Sequence, residues 1–554
     1  MIPLISPAAM RECEQRYFRM SGEASIDVME RAARALADVI SAELPEGSTI
    51  HFACGTGGNG GDGTACARLL HEKYRCIIVQ PKEPTAPDAI ENLRRAKECG
   101  IPVVQSPGFY VSAFTGFPLP KVDRLPNPDA WVDALFGTGL SRPPEGVEKA
   151  LIHYINAQRS QGARVYSADI PSGLNGTTGN AYPACIEADC TVTFQHIKTG
   201  MALGDGMDAC GKIIRADVGF PQELFFTPEI NMLDAGLLEP ADITRWLSPR
   251  PRNIHKGSCG HLLIVAGSFG MAGAAAMCAQ AALRSGVGLL TIACVKSIVP
   301  MLQTLVPQAM CIPLEEDRGA ISIDAHPALQ AALVGKTAAV IGPGLTKRVP
   351  EEIIRAVLKS DIPAVIDADA LNIMAFHPIL FGMLKKHHVI TPHPGEAARL
   401  LDSAKLFDNL RALSEPGADP EELSRAFNIA LGNLSLSDSY NPTVPESPVE
   451  AASALQKLGA TALYKGASCV ISDGDQVYVS RSGCCGMARG GSGDILCGIL
   501  GAMLAEKSTR APSLTAALAS EIHGLAGELA QVKYGSRSMN ALDIVEFLPE
   551  VFPK

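Results

Sequence analysis

Thr49-Ile-His-Phe-Ala53 runs directly into Cys54-Gly-Thr-Gly-Gly-Asn-Gly-Gly-Asp-Gly63, and an amphipathic stretch from Asp62 to Tyr74 follows. A β-rich run, a glycine turn and a helix in immediate succession open a parallel α/β sheet, which presents such turns at the carboxyl edge where open sheets bind ligands. Six glycines in ten residues suit a backbone that turns tightly and lies against a ligand, and a nucleotide phosphate fits there. Asn59 and Asp62 add oxygen groups that a mere turn does not require. A plain strand-to-helix turn stays open as the alternative.

The same alternation spreads outward from that point. Cys76 to Val79, Val103 to Val104, Trp131 to Leu135 and Arg164 to Ala168 read as apolar strands, Gly146 to Gln158 as a helix, and Arg11 to Glu43 as a helical segment ahead of the sheet. Near Phe220 to Pro228 the pattern stops, and Pro249-Arg-Pro-Arg252 marks a linker. A second series begins at His261-Leu-Leu-Ile-Val-Ala266 and continues through Val287 to Ala293, Ala338 to Ile341, Ala364 to Ile366 and Val389 to Thr391. Asp402 to Gly459 is rich in Ser, Pro and Asn, with Asn441 to Pro448 as its loosest part, and reads as a surface insertion. The expected fold class is α/β in two domains: 1–225, a Rossmann-like three-layer sandwich, and 240–554, a second α/β domain.

Bulk properties bound the chemistry. At 554 residues the chain exceeds one ordinary core. Hydrophobic residues at 47%, charged residues at 19% and a mean hydropathy of +0.14 describe a well-buried protein with little room for long disordered tails. A net charge of -10 and a pI near 5.7 argue against general affinity for nucleic acid or anionic lipid, so any phosphate must be held locally. The 16 cysteines form no Cys-x-x-Cys pair, and the start Met1-Ile-Pro-Leu-Ile-Ser reaches Arg11, Glu12 and Glu14 without an apolar signal core. Reduced thiols and a cytoplasmic location are expected. No apolar run approaches the roughly 18–20 residues of a membrane span, so no membrane partner is expected either.

The chemistry concentrates at Met487-Ala-Arg-Gly-Gly-Ser-Gly-Asp494, followed by the apolar Ile495-Leu-Cys-Gly-Ile-Leu500. Small residues let the backbone approach a ligand, and a helix starting there aims unpaired amides at it, an arrangement that binds phosphate. Asp494 adds a carboxylate to a site built for anions, which suits proton handling at a hydroxyl beside the phosphate; a helix-capping Asp is the plainer alternative. Further strand ends carry Gly267 to Ala275, Gly342-Pro-Gly-Leu345, Asp367-Ala-Asp-Ala-Leu-Asn372 and Thr391-Pro-His-Pro-Gly-Glu396, and Lys465-Gly-Ala-Ser-Cys469 follows the insertion. Lys465 suits a phosphate or a solvated strand end, and His393 a ligand contact or a structural hydrogen bond. In the first half, Asp133-Ala-Leu-Phe-Gly-Thr-Gly and Asp169-Ile-Pro-Ser-Gly end two strands, so that Asn59, Asp133 and Ser172 can converge as oxygen ligands of a hard cation, each acid also being an ordinary cap or turn former.

These residues resemble two families. The glycine turn, Asp-x-x-x-Gly-Thr-Gly and Asp-Ile-Pro-Ser-Gly resemble the epimerase domain of NAD(P)H-hydrate repair proteins. The resemblance implies potassium (K+) at Asn59, Asp133 and Ser172, and the hydrated nucleotide at Gly58, Asn59, Gly60, Gly61, Asp62, Gly137, Thr138, Gly139, Leu140, Ser141, Arg142, Pro143 and Asp169. Gly58 stands where that family normally has Asn. From about His255 onward the chain resembles the ribokinase-like ADP-dependent NAD(P)H-hydrate dehydratases. Carried over, Ala274, Gly344, His393 and Asp494 would touch the hydrated nucleotide, Lys465, Gly466, Ala467, Ser468, Cys469 and Gly493 would hold ADP, and Asp494 would be the catalytic base. Arg489 stands where the family has Thr, open to a phosphate contact or to crowding.

The implied function is repair of NADHX and NADPHX: epimerisation of the R and S hydrates by the first domain, and ADP-dependent dehydration to NAD(P)H, AMP and phosphate by the second, with Mg2+ accompanying ADP. A homo-oligomer is the expected assembly. The rival reading is a ribokinase-like small-alcohol kinase fused to a noncatalytic nucleotide-binding module.

Overall fold

The glycine-rich run lies at a strand-to-helix junction, but the helix begins earlier than its periodicity indicates. Strand β1 (Thr49–Cys54) is followed by a helix over Gly58–Leu70, so the Gly58-to-Asp62 segment forms its first turns rather than a preceding loop. The computed structural model describes residues 1–104, 126–226, 233–247, 249–413 and 444–553, and divides the chain into two units, Ile2–Gly236 and Leu237–Lys554.

In the N-terminal unit β2 (Arg75–Val79), β3 (Val103–Val104), β4 (Ala130–Ala134), β5 (Arg164–Ala168), β6 (Cys190–Phe194) and β7 (Lys212–Ala216) join β1 in an all-parallel sheet of order β3-β2-β1-β4-β5-β6-β7. Strand alternation feeds two cores. Phe52, Val132 and Tyr166 face the side packed by Leu36, Ile40 and Ala65, while Ala53, Trp131 and Val165 face Leu151, Ile152 and Ile155 of the helix Gly146–Ser160. The expected three layers result. The N-terminal segment is a short strand, Ile2–Ile5, and two helices, Pro7–Ser21 and Ser25–Glu43, the first capped by the Ser6 hydroxyl and ended by a left-handed Gly22.

In the C-terminal unit β8 (His261–Val265), β9 (Leu289–Val295), β10 (Met310–Leu314), β11 (Ala338–Ile341), β12 (Ala364–Ile366), β13 (His388–Ile390), β14 (Thr461–Tyr464), β15 (Cys469–Ser472) and β16 (Val477–Ser480) are ordered β10-β9-β8-β11-β12-β13-β14-β15-β16. Pairing is parallel through β14 and antiparallel for β15 and β16. Lys465 to Ser468 therefore form a hairpin turn between β14 and β15 rather than a crossover from a parallel strand. The helix Ser492–Ala505 is apolar on all sides because it is buried on all sides, its Gly498 and Gly501 allowing close approach to Cys278 and to Val340 and Leu262.

Each sheet reverses its strand order at one point, between β1 and β4 in the first unit and between β8 and β11 in the second. Crevices open outside such reversals. The expected surface insertion needs correction at both ends: the helix Pro394–Leu413 extends through its start, with Ser403 buried, and the helix Pro448–Gln456 buries Ala451, Ala452 and Leu455. Its middle, 414–443, lies outside the described residues. All 16 cysteines are free, and among the described residues no helix is long and apolar enough to cross a membrane.

Candidate active sites

At the β1/β4 reversal a cavity of about 500 Å3 is lined by Gly58, Asn59, Asp62, Gly137, Thr138, Gly139, Leu140, Ser141, Arg142 and Asp169. Gly60, Gly61 and Pro143 are not among its lining residues, and Gly60 and Gly61 are buried. Gly60 is required by close packing, since a Cβ there would fall 2.0 Å from the Gly55 carbonyl oxygen. Gly58 differs: a Cβ added to it meets nothing within 4 Å.

Asn59 and Ser172 meet at the Phe136 carbonyl, which accepts from Asn59 Nδ2 at 3.0 Å and from Ser172 Oγ at 3.3 Å, and Asp133 is joined to them through the Ser172 amide. Asp133 is fully buried and accepts from Ser172 N at 2.8 Å, Ser167 Oγ at 2.9 Å and Leu135 N at 3.3 Å. Burial pushes its carboxyl upward and these donors pull it back. Every donor is neutral. Among the described residues this buried carboxylate has no cationic partner, and beside an amide, a hydroxyl and a carbonyl oxygen it makes a donor set that fits a hard monovalent cation.

Sequence reasoning misses Lys198. Its side chain is 1% exposed, pairs with Asp169 Oδ1 and donates to Phe194 O at 3.0 Å and Thr193 Oγ1 at 3.1 Å. Asp169 adopts φ +65, a conformation rare for a residue with a side chain, at the end of β5. The half-buried Asp62 faces the same cavity, and burial, with Asp169 and Glu14 adding to it, pushes its carboxyl well above the usual range.

The second site gathers at the β8/β11 reversal and along the adjoining strand ends. Gly267 N donates to Pro343 O at 2.9 Å, joining the two glycine turns. Gly344 takes φ +64, and a Cβ there would sit 3.1 Å from that of Ala274, so these two residues are neighbours. Lys465 N donates to Pro392 O at 2.9 Å, which brings the hairpin beside His393. His393 Nδ1 accepts from Gly395 N at 3.0 Å, which leaves Nε2 as the protonated nitrogen.

Gly491 (φ +98) ends the anion turn and starts the helix Ser492–Ala505. Among the described residues the amides of Gly493 and Asp494 have no acceptor, as expected of a helix N-terminus open to a ligand. Burial pushes the Asp494 carboxyl up to about 6, with Asp367 adding and Lys465 opposing. Lys465 Nζ lies 3.6 Å from the position a Cβ would take at Gly493. Asp367, which opens one of the strand-end motifs but is given no role there, binds that lysine at 2.6 Å and accepts from Thr391 Oγ1 at 2.7 Å. Its neighbour Ala368 sits at φ +50, a second strained strand end. Arg489 is turned away: its Nε donates to Gly486 O at 2.8 Å and Nη2 to Ser536 O at 3.1 Å.

Two sites with these motifs have counterparts among known proteins. Residues 25–200 match the family described as YjeF-related protein N-terminus, and residues 262–420 and 437–550 match NAD(P)H-hydrate dehydratase. The chain is 32% identical over 553 residues to the bifunctional NAD(P)H-hydrate repair enzyme of Coxiella burnetii, the match covering 99% of each. The chain belongs to the bifunctional NAD(P)H-hydrate repair enzyme family. Its Escherichia coli relative is 31% identical across 98% of this chain and 92% of its own. Among solved structures, the ADP/ATP-dependent NAD(P)H-hydrate dehydratase of Bacillus subtilis, co-crystallized with ATP/Mg2+, is 25% identical with a TM-score of 0.40 over 57% of this chain and 97% of its own. A ribokinase-like superfamily protein of Enterococcus faecalis is 21% identical with a TM-score of 0.42, over 58% and 95%.

Proposed function

We propose that the N-terminal unit of this repair enzyme interconverts R and S NAD(P)HX, and that the C-terminal unit dehydrates the S epimer at the expense of ADP, giving NAD(P)H, AMP and phosphate. The observation that carries the reading is the pairing of unpaired helix amides at Gly493 and Asp494 with a carboxylate that titrates near 6 and a lysine beside it.

Hydroxide is a poor leaving group, and phosphorylation converts it into a good one. Asp494, ionised at neutral pH yet held close to its titration point by burial, takes the hydroxyl proton as the oxygen attacks the terminal phosphoryl of ADP. The amides of Gly493 and Asp494 and the Lys465 ammonium stabilise charge on the phosphoryl oxygens during transfer; phosphate then leaves with the C–O bond pair, the ring nitrogen lone pair closes a C=N+ bond, and loss of a proton from the adjacent ring carbon to solvent restores the reduced ring. Lys465 to Cys469 and Gly493 hold ADP, while Ala274, Gly344 and His393 line the place of the nicotinamide nucleotide. Magnesium accompanying the nucleotide would supply neutralisation of part of its phosphate charge.

In the first unit, the cavity wall from Gly137 to Arg142 and the start of the helix Gly58–Leu70 bind the hydrated nucleotide, with Asp169 fixed by Lys198. Potassium at Asn59, Asp133 and Ser172 would compensate the buried Asp133 charge and tie the two substrate loops together. Incubation of the purified protein with mixed hydrates, magnesium and either ADP or ATP tests the function. Full regeneration of reduced nicotinamide absorbance from both epimers is expected; recovery of only one epimer's share removes the epimerase half.

A further inference from the structure

The N-terminal cavity holds one more ionisable group than this reading uses. The helix Pro7–Ser21 sends Met10, Glu14 and Phe18 into the cavity wall, at intervals of four that place them on one face. That face is apolar on both sides of Glu14: Met10 is buried, and Phe18 stands edge-on to Phe220 with ring centroids 6.4 Å apart. A carboxylate between two cavity-lining hydrophobes loses solvation that an apolar residue would not. Among the described residues no hydrogen bond or ion pair compensates Glu14.

One turn of the same helix carries Arg11, which hydrogen-bonds the Thr138 carbonyl and so pins the helix to the loop Gly137 to Arg142 across the cavity. The charged groups around Glu14 are Arg11 on its own helix, Asp62 on the helix Gly58–Leu70, Asp169 at the end of β5 with Lys198 behind it, and Asp88 and Arg142 in the wall. Burial, with Asp169 adding and Lys198 and Arg11 opposing, pushes the Glu14 carboxyl up to about 7. Both of its protonation states are populated near neutrality.

We propose that Glu14 is a catalytic acid of the epimerase site, protonating the hydroxyl of the hydrated nicotinamide ring; this rests on the epimerase reading above. Hydration of an enamine leaves the hydroxyl on the carbon bonded to the ring nitrogen. As Glu14 delivers its proton, that C–O bond breaks, its electron pair leaves with oxygen as water, and the nitrogen lone pair closes a C=N+ bond. Water then adds to the opposite face, the nitrogen recovers its pair, and the proton of the adding water passes to solvent in the open cavity, from which Glu14 is reprotonated. Nothing is gained or lost but the configuration.

The test compares the full-length wild type with Glu14→Gln and Glu14→Asp, following R-to-S exchange against pH, and ADP-dependent dehydration of purified S hydrate as the control. Wild-type exchange should fall as pH rises through about 7, since the acid form is required. Glu14→Gln should lower kcat for exchange by roughly 10²–10⁴-fold with KM within about two-fold and no such pH limb, while Glu14→Asp recovers part of the rate together with the limb. Dehydration of the S hydrate should be unchanged in both variants. Wild-type kcat in Glu14→Gln, or a loss confined to KM with the pH limb retained, overturns the proposal. A wild type that exchanges neither epimer at any pH instead removes the epimerase reading, and this proposal with it.

Discussion

Lys465 Nζ lies 2.6 Å from Asp367 Oδ1, and both side chains are largely withdrawn from solvent, at 19% and 3% exposed. Burial opposes charge on both, yet each holds the other ionised, the lysine above its usual range and the aspartate below its own. Asp367 thereby aims a fixed positive charge at the anion turn. Lys465→Met is predicted to raise the KM for ADP at least about ten-fold and, by leaving Asp367 buried and unpaired, to destabilise the C-terminal unit by about 3–5 kcal/mol. Adding Asp367→Leu should restore most of the stability and none of the ADP affinity, as read by thermal melting and nucleotide titration.

Asp494 carries a second, opposite consequence. A carboxyl raised to about 6 from an ordinary 3.8 is less stable ionised in the folded protein than in the unfolded chain. The folded state is penalised above pH 6, and the penalty disappears as pH falls from about 6 to 4. Asp494→Asn should therefore stabilise the unit by roughly 1–3 kcal/mol at pH 8, discounting for the partial exposure of the group, and by almost nothing at pH 4. The same variant should lose dehydration by about 10²-fold or more, while the wild-type rate should decline as pH drops through about 6.

Open space at Gly58 makes the departure from the usual Asn a reversible one. Gly58→Asn should fold normally, because no atom lies within 4 Å of the new Cβ. Its amide adds a hydrogen-bonding group to the cavity wall, so a KM for epimer exchange lowered by about two- to ten-fold is expected. A raised KM or a lowered melting temperature would count against the placement of that residue in the wall.

Potassium dependence follows from the neutral donors around Asp133. Epimer exchange should fall when potassium is replaced by a bulky organic cation, and Ser172→Ala should weaken the potassium response by removing both an oxygen ligand and the hydroxyl that accepts from Phe136 N at 2.8 Å. ADP-dependent dehydration of the S hydrate, measured in parallel, should not respond.

The strand ends are legible in the sequence because glycine and short polar residues are needed where a backbone must turn against a ligand: Ser172, Lys465 and His393 occur in such turns, and Asn59 and Asp133 lie on the helix and the strand that flank them. Lys198 is not legible: it is the second residue of a two-residue strand, Ile197–Lys198, and its importance arises from the left-handed Asp169 that reaches it. Glu14 is hidden by its helix, where it stands with Glu12, Arg11, Arg16 and Arg19 and reads as one charge among several on an ordinary amphipathic helix. The helix Pro394–Leu413 escapes because its polar and apolar residues are spread around the axis, leaving no stripe to recognise. Arg489 shows the reverse case, a conspicuous cation whose hydrogen bonds to Gly486 and Ser536 only the folded chain displays.

Phosphorus NMR of the purified chain with S hydrate, ADP and magnesium tests the central assignment most directly. The account predicts equal amounts of AMP and inorganic phosphate, in step with newly formed reduced nicotinamide. A phosphorylated hydrate that accumulates and persists, or ADP left unconsumed while reduced nicotinamide forms, would contradict it.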